Sequence, residues 1–282
     1  MAVIQRSRAD RAGNIIRYVV LVAGALLFLL PFYLLVRNGL STTREITSPD
    51  WTFWPSQLQW GNIADLFNDP SVPMFRSLVN SLLIAVVQTV AVLVISGLAG
   101  YGLARIPFRY ANAVFYVIVA TLLIPAAVTF VPSFVLVSTL GWISTMRGLI
   151  IPGLFQAFAT FLFRQYFLGF PKELEEAAQL DGVGYWGTFW RVVVPNSSGF
   201  IAAIGTITFI GSWNAFLWPL VIGQDPSSWT VQIALSTFLT AQTINLPQLF
   251  IAAAIAILPL VVMFVFLQRW IVEGVERSGI SE

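Results

Sequence analysis

From Ser77 to Ala104 the chain carries no charged side chain. That run is longer than the roughly 20 apolar residues an α-helix needs to cross the hydrocarbon of a bilayer. Within it, Gly97, Gly100 and Gly102 offer a small-residue face for close packing against another helix. Five further runs have the same character: Tyr18–Val36, Ala111–Val137, Gly148–Phe163, Gly199–Ile222 and Leu249–Leu267. Over 282 residues the side chains are 57% hydrophobic and only 10% charged, with a mean hydropathy of +0.82. Such a composition describes an integral membrane protein. The expected fold is all-α, a polytopic membrane protein of six transmembrane helices.

The boundaries follow from the punctuation between runs. Residues 1–17 form a polar segment with Arg6, Arg8, Arg11 and Arg17 against Asp10. A cleaved signal peptide begins in the same way, but no small-residue cleavage site closely follows the next apolar run, which favours an uncleaved first helix at 18–36. Pro31 is expected to kink that helix. Residues 37–76 make a polar loop whose Trp51, Trp54 and Trp60 suit a membrane–water interface; binding a partner is the alternative role. Residues 77–268 hold the other five helices, with one long charged loop at 171–195, and 269–282 form a tail of mixed charge. Pro125 and Pro132 interrupt the third helix. Prolines are tolerated in spans where neighbours satisfy the freed carbonyls, and here they fit a kinked packing helix and a solute pathway equally well.

Charge bias sets the orientation. With the N-terminus inside, the inner segments hold Arg6, Arg8, Arg11, Arg17, Arg105, Arg109, Arg164, Lys172, Arg191, Arg269 and Arg277, which is eleven cations. The outer loops hold four: Arg37, Arg44, Arg76 and Arg147. Both termini and the loop 171–195 are therefore expected on the cytoplasmic side.

Several chemistries are excluded by what is missing. There is no cysteine and no histidine, hence no disulfide, thiol nucleophile, imidazole base or usual zinc site, and no metal site is expected. Lys172 is the single lysine and is followed by glutamate, whereas a phosphate-binding P-loop needs Lys-Ser or Lys-Thr after a glycine-rich loop. No catalytic constellation is visible. Spans two to six contain no ionisable acid or base, and ion-coupled transporters usually need intramembrane carboxylates or histidines. Uncharged polar groups do occur in the spans: Gln88, Thr89, Gln156, Ser212 and Asn214. They could line a path for a neutral, hydrogen-bonding solute; interhelical hydrogen bonding is the plainer role for each. A channel stays open as a reading, although no charged ring or filter-like repeat is present.

The stretch 171–195, PKELEEAAQLDGVGYWGTFWRVVVP, stands apart. Pro171 suits a helix start, and Glu173, Glu175 and Glu176 favour its positive end. Leu174, Ala177 and Ala178 fall together at i, i+3, i+4, a small face open to close approach. Gly182 and Gly184 stop the helix. A second short helix, Tyr185 to Arg191, carries Trp186, Phe189 and Trp190. Together they read as a docking surface at the membrane for a soluble partner that supplies the energy.

Glu176-Ala177-Ala178, three residues, Gly182, nine residues, then Val192-x-Val194-Pro195 resembles the EAA loop of the permeases of binding-protein-dependent ABC importers, with valines where that family has isoleucine and leucine. Asp181-Gly182, Leu140-Gly-Trp, Phe163-Arg-Gln-Tyr-Phe167 and Trp213-Asn214 are similar to its carbohydrate branch, and the smaller six-span permease of maltose-type systems is the nearest type. The resemblance runs from about residue 76 to 274 and implies a type I ABC importer permease fold. It also implies a coupling helix docked in a cleft of a cytoplasmic ATPase, with Glu176, Ala177, Ala178 and Gly182 at the contact and Asp181 and Pro195 belonging to the same motif. The implied partners are a second homologous permease, two copies of the ATPase (which would bind the ATP and Mg that this chain does not) and an extracellular solute-binding protein facing loop 225–247. Membrane lipid surrounds the assembly, and no nucleic acid is involved. The tail Glu273-Gly-Val-Glu-Arg-Ser-Gly279 departs from the family's Gly-Ala-Val-Lys-Gly segment. The implied cargo is a sugar or sugar-like solute; glycerol phosphate or another polar solute is the alternative within the family, and a stand-alone facilitator the alternative outside it.

Overall fold

A computed structural model describes residues 8–240 and 245–278, and within these the fold is entirely helical. The chain divides into two compact units. The first comprises the chain up to Asn68 together with Phe238–Ala256, and the second Asp69–Thr237 with the chain from Ile257 onward.

In the first unit, helix α1 (Arg8–Gly39) includes the span Ile16–Gly39, of mean hydropathy 2.7, whose most apolar stretch is not buried inside the chain. Pro31 lies within this helix without ending it. Near its close, Gly39 packs so tightly that a Cβ there would meet the Ile251 backbone nitrogen at 2.9 Å. The polar segment that follows folds back on α1: Tyr33 stacks on Phe53 with ring centroids 4.7 Å apart, and the buried Arg37 donates to the Thr52 carbonyl at 2.9 Å. Short helix α2 (Thr43–Thr47) opens with a capping box, in which Thr42 Oγ1 accepts from the Glu45 amide and the Glu45 carboxylate accepts from the Thr42 amide. The same carboxylate accepts from the Ser56 amide at 2.8 Å and its hydroxyl at 2.6 Å. Helix α3 (Gly61–Asn68) closes this stretch. Trp51, Trp54 and Trp60 are all exposed.

The second unit is built on α4 (Met74–Arg105), which contains the uncharged run 77–104. After it come α5 (Ala111–Thr121), α6 (Ala126–Thr139), α7 (Met146–Ile150) and α8 (Ala157–Leu168). At Gly100 the backbones of α4 and α8 nearly touch: an added Cβ would lie 2.6 Å from Phe163 Cβ and 2.8 Å from the Arg164 nitrogen. Gly97 has ordinary contact with the Phe163 and Phe189 rings, whereas a Cβ on Gly102 would meet nothing within 4 Å. The glycine face therefore serves close packing at Gly100 and not at Gly102. Around this crossing, Val92, Tyr101, Phe163, Phe167, Phe189 and Val193 form a buried core.

The surface stretch forms α9 (Lys172–Leu180) and α10 (Tyr185–Thr188), a π-helical turn at Phe189–Val193 and α11 (Val194–Asn196). Then come α12 (Ser198–Trp213), α13 (Leu217–Ile222), α14 (Val231–Thr240) and α15 (Leu246–Ser278).

Among the described residues, four helices are long and apolar enough to cross a membrane, and up to six spans result if each of two bent pairs counts as one. The first pair, 111–139, bends by 93° at the break that ends on Pro125, which cannot donate a helical hydrogen bond. Pro132, expected to interrupt the same run, sits inside α6. The second pair, 185–213, bends by 82° at Ser197. The run Gly199–Ile222, read as one helix, is broken at 214–216. Pro219 favours a break here: its ring would crowd the carbonyl of residue 215 in a continuous helix, whereas it fits the first turn of α13, where an N–H would lack a partner anyway.

Candidate functional site

Helix α9 ends as its glycine demands. Gly182 has φ +77°, its amide donates to the Gln179 carbonyl at 2.9 Å, and the Val183 amide donates to Ala178 at 2.9 Å. These two bonds make a Schellman motif, which needs a residue in the left-handed region at this position. The turn then directs the chain into α10.

The faces of α9 differ from the sequence grouping. Ala178 is buried, but Leu174 and Ala177 are exposed, and Leu180 is 90% exposed. The inward stripe is Glu175 with Ala178, one turn apart. Of the two adjacent glutamates, Glu176 points outward with Ala177 and Asp181, all exposed, while Glu175 is buried. Glu175 Oε1 lies 3.1 Å from Arg105 Nε, and the two side chains are only 8% and 6% exposed. The pair falls short of an aligned hydrogen bond, so the attraction is largely coulombic. Arg105 also donates to the Phe170 carbonyl, just ahead of α9. Burial pushes the Glu175 carboxyl above its ordinary range, against the downward pull of Arg105 and Lys172. Sequence reading missed this pair; its signal was a lone arginine at the end of an uncharged span.

A second arginine braces the same crossing from the other side. Arg164 on α8 donates to the Leu103 carbonyl at 3.4 Å and to Asn112 Oδ1 at 2.8 Å, with its guanidinium 3.9 Å over the Phe115 ring. The aromatic half of the surface stretch is anchored by Phe189, whose ring lies 5.1 Å from that of Tyr101. Trp186 and Trp190 remain exposed.

The polar residues of the spans fall into separate places. Gln88 Nε2 donates to the Leu149 and Ile150 carbonyls, each at 3.1 Å, and Gln88 Oε1 accepts from Ser212 Oγ at 2.6 Å. Gln88 and Ser212 thus join α4, α7 and α12. Asn214 caps α12 and accepts from Gln232 at 3.1 Å. Gln156 precedes α8; its main-chain carbonyl accepts from Ser96 and Thr160, and its side chain is exposed. A largely apolar cavity of about 500 Å³ between α4, α12 and α15 is lined by Leu93, Ile201, Gly205, Phe209 and Met263, with Pro195 at its edge. Of the five polar residues proposed for a path, Thr89 lines it, and Gln88, Gln156, Ser212 and Asn214 do not. Residues 241–244 of loop 225–247, and the side chains of the tail segment from Glu273, lie outside the described residues.

An all-helical membrane chain that presents a glycine-closed helix and an aromatic helix on its surface has the form of an ATP-driven importer's permease. The family of binding-protein-dependent transport system inner membrane components matches residues 93–277, and the chain belongs to that family. It is 33% identical over 277 residues to the sn-glycerol-3-phosphate transport system permease protein UgpE of Yersinia pestis, covering 95% of this chain and 98% of the relative. It is 33% identical to the lactose transport system permease protein LacG of Rhizobium radiobacter, covering 95% and 97%, and 31% identical to the arabinooligosaccharides transport system permease protein AraQ of Bacillus subtilis, covering 91% and 92%. It shares the fold of a chain in the crystal structure of a bacterial ABC transporter involved in the import of the acidic polysaccharide alginate, with TM-score 0.80, 22% identity and coverage of 95% and 99%. The chain is a multi-pass permease subunit of the bacterial cell membrane, not an enzyme; in such importers a separate ATPase hydrolyses ATP.

Proposed function

We propose that this permease carries a neutral sugar or oligosaccharide delivered by an extracellular solute-binding protein, and that α9 couples it to the ATPase. The observation behind the coupling reading is the outward face of α9. Glu176, Ala177 and Leu180 are exposed on a helix whose exit angle Gly182 fixes, so a partner cleft can reach them without disturbing the bundle. Ala178, Asp181 and Pro195 complete the motif around that face. Both termini and α9 lie on the cytoplasmic side, as the distribution of arginines favours. The working assembly pairs this chain with a second homologous permease and with two ATPase copies that bind ATP and Mg. Gln156 and Asn214, exposed at helix ends, meet the solute, while Gln88 and Ser212 hold the helices that flank it.

Sugar transport proteins among the relatives favour a carbohydrate cargo. The equally similar glycerol phosphate permease favours a phosphorylated one. No lysine or arginine occurs within 77–104, 111–137, 148–163, 199–222 or 249–267 to meet a phosphate in mid-membrane, and this tips the reading toward a neutral solute. The test is ATPase activity of the reconstituted complex, purified through this chain, with its binding protein loaded with lactose, an arabinooligosaccharide or sn-glycerol 3-phosphate. Stimulation by a neutral sugar alone supports the proposal. Stimulation by the phosphate ester alone overturns the cargo, and wild-type uptake in Glu176→Lys overturns the coupling role.

A further inference from the structure

We propose that Arg105 and Glu175 form the strut through which movement of the coupling helix reaches the transmembrane bundle. This rests on the reading that α9 docks on the ATPase and adds the residue pair that keeps it from sliding. Arg105 is the last residue of α4, the helix on which the second unit is built. From that one position its guanidinium reaches the Phe170 carbonyl, on the approach to α9, and the Glu175 carboxylate, within α9. One turn earlier on α4, Tyr101 packs against Phe189 of the π-helical turn and edge-on against Phe167. Both halves of the surface stretch are therefore fastened to a single turn of a single span.

Energetics favour a positioning role over a merely stabilising one. Taking two charges out of water costs about as much as their attraction returns, so a buried ion pair adds little net stability compared with packed apolar side chains. What the pair supplies is a defined register: the charges are satisfied only when α9 sits at one height and rotation against α4. That register turns Glu175 and Ala178 inward and leaves Glu176, Ala177 and Leu180 facing out. A helix held only by Ala178 could roll or slide under load, and ATPase closure would then be spent on α9 alone.

The experiment uses the reconstituted complex and measures solute imported per ATP hydrolysed, normalised to the ATPase copurified. In Glu175→Gln and Arg105→Gln the ATPase should still copurify, because the outward face is intact. Import per ATP should fall about tenfold, within the usual range of coupling free energies between sites. The exchanged variant, Arg105→Glu with Glu175→Arg, should recover part of that loss; Lys172 beside position 175 and the unpaired Phe170 carbonyl limit the recovery. Since the chain has no cysteine, labels at Gln179→Cys and Phe108→Cys can report the distance from α9 to the turn just after α4 in the same complex, and its distribution should broaden in Glu175→Gln. Wild-type stoichiometry in both single variants, or an unchanged distance distribution, overturns the strut. So does an exchanged variant that assembles fully yet transports no better than the singles. If these variants are normal while Glu176→Lys is uncoupled, the strut fails and the docking reading stands. A wild-type chain that binds no ATPase overturns both.

Discussion

Two surface stretches are each organised by one glutamate, and they use it in opposite ways. Glu45, in the segment after α1, stays near water and collects donors: the amides of Thr42 and Ser56 and both their hydroxyls. Those hydrogen bonds, that from the Ser56 hydroxyl first, draw its pKa down to about 2. Glu175, in α9, is buried against one cation, and its desolvation drives the carboxyl up. A carboxylate that gathers neutral donors stabilises a local turn. One buried on a distant arginine ties two helices together at little net gain, and belongs where position matters more than stability.

The largest effect should come from removing one half of the buried pair. Glu175→Leu leaves Arg105 with the Phe170 carbonyl but no carboxylate, a loss of about 3–5 kcal/mol for an orphaned buried charge. Thermal unfolding of the purified complex measures it. Adding Arg105→Met should restore stability to the wild-type level or beyond while import stays impaired, which separates stability from coupling. If Glu175→Leu costs no more than Glu45→Leu, the two glutamates are not different in kind.

Next in size is the glycine that ends α9. Gly182→Ala should cost about 1–2 kcal/mol from the left-handed backbone alone, because an added Cβ meets nothing within 4 Å. Gly102→Ala has the same open space but lies inside a helix, and should gain about 0.5–1 kcal/mol. Opposite signs in the two unfolding curves would show that conformation, not crowding, sets the requirement at 182. A smaller loss, about 1 kcal/mol, follows from Thr42→Ala, which removes the cap of α2. It should appear as faster amide exchange confined to 42–56.

How much of this was legible depended on how local its cause is. The long apolar helices could be read directly because hydropathy belongs to a segment, and Gly182 because a positive φ next to a helix end is a local demand. The break at 214–216 was hidden, since apolar residues continue through it and only Pro219 betrays it. The division of Glu175 from Glu176 was hidden for a different reason. Both follow Pro171 on the same helix, and which one turns inward is set by Arg105 on α4. The glycine face likewise read as three equivalent residues, yet α8 crosses only at Gly100. Among the span amides, Gln88 shows the same limit: its hydrogen bonds go to carbonyls at Leu149 and Ile150 and to Ser212, none near it in sequence.

The smallest effect is a pH dependence that tests the contrast by its sign. Glu45 has a folded pKa of about 2 against an ordinary 4.5, so its contribution is fully present above 4.5 and is lost as pH falls toward 2. Protonation withdraws the acceptor from the Ser56 and Thr42 amides, and the segment 42–56 loosens. Amide exchange of Ser56, corrected for its intrinsic rate, should therefore accelerate across that interval in the wild type and show no such step in Glu45→Gln. Glu175 obeys the reverse rule. Its raised pKa means that the neutral form is the better tolerated one, so its contribution shrinks as pH rises through its range. Acid should consequently loosen the stretch around Glu45 while the α9 amides, bonded within their own helix, stay protected, even as the register of α9 against α4 relaxes as it does in Glu175→Gln. Simultaneous loosening of both on acidification would mean that Arg105 outweighs burial at Glu175, and that the two carboxylates differ only in degree.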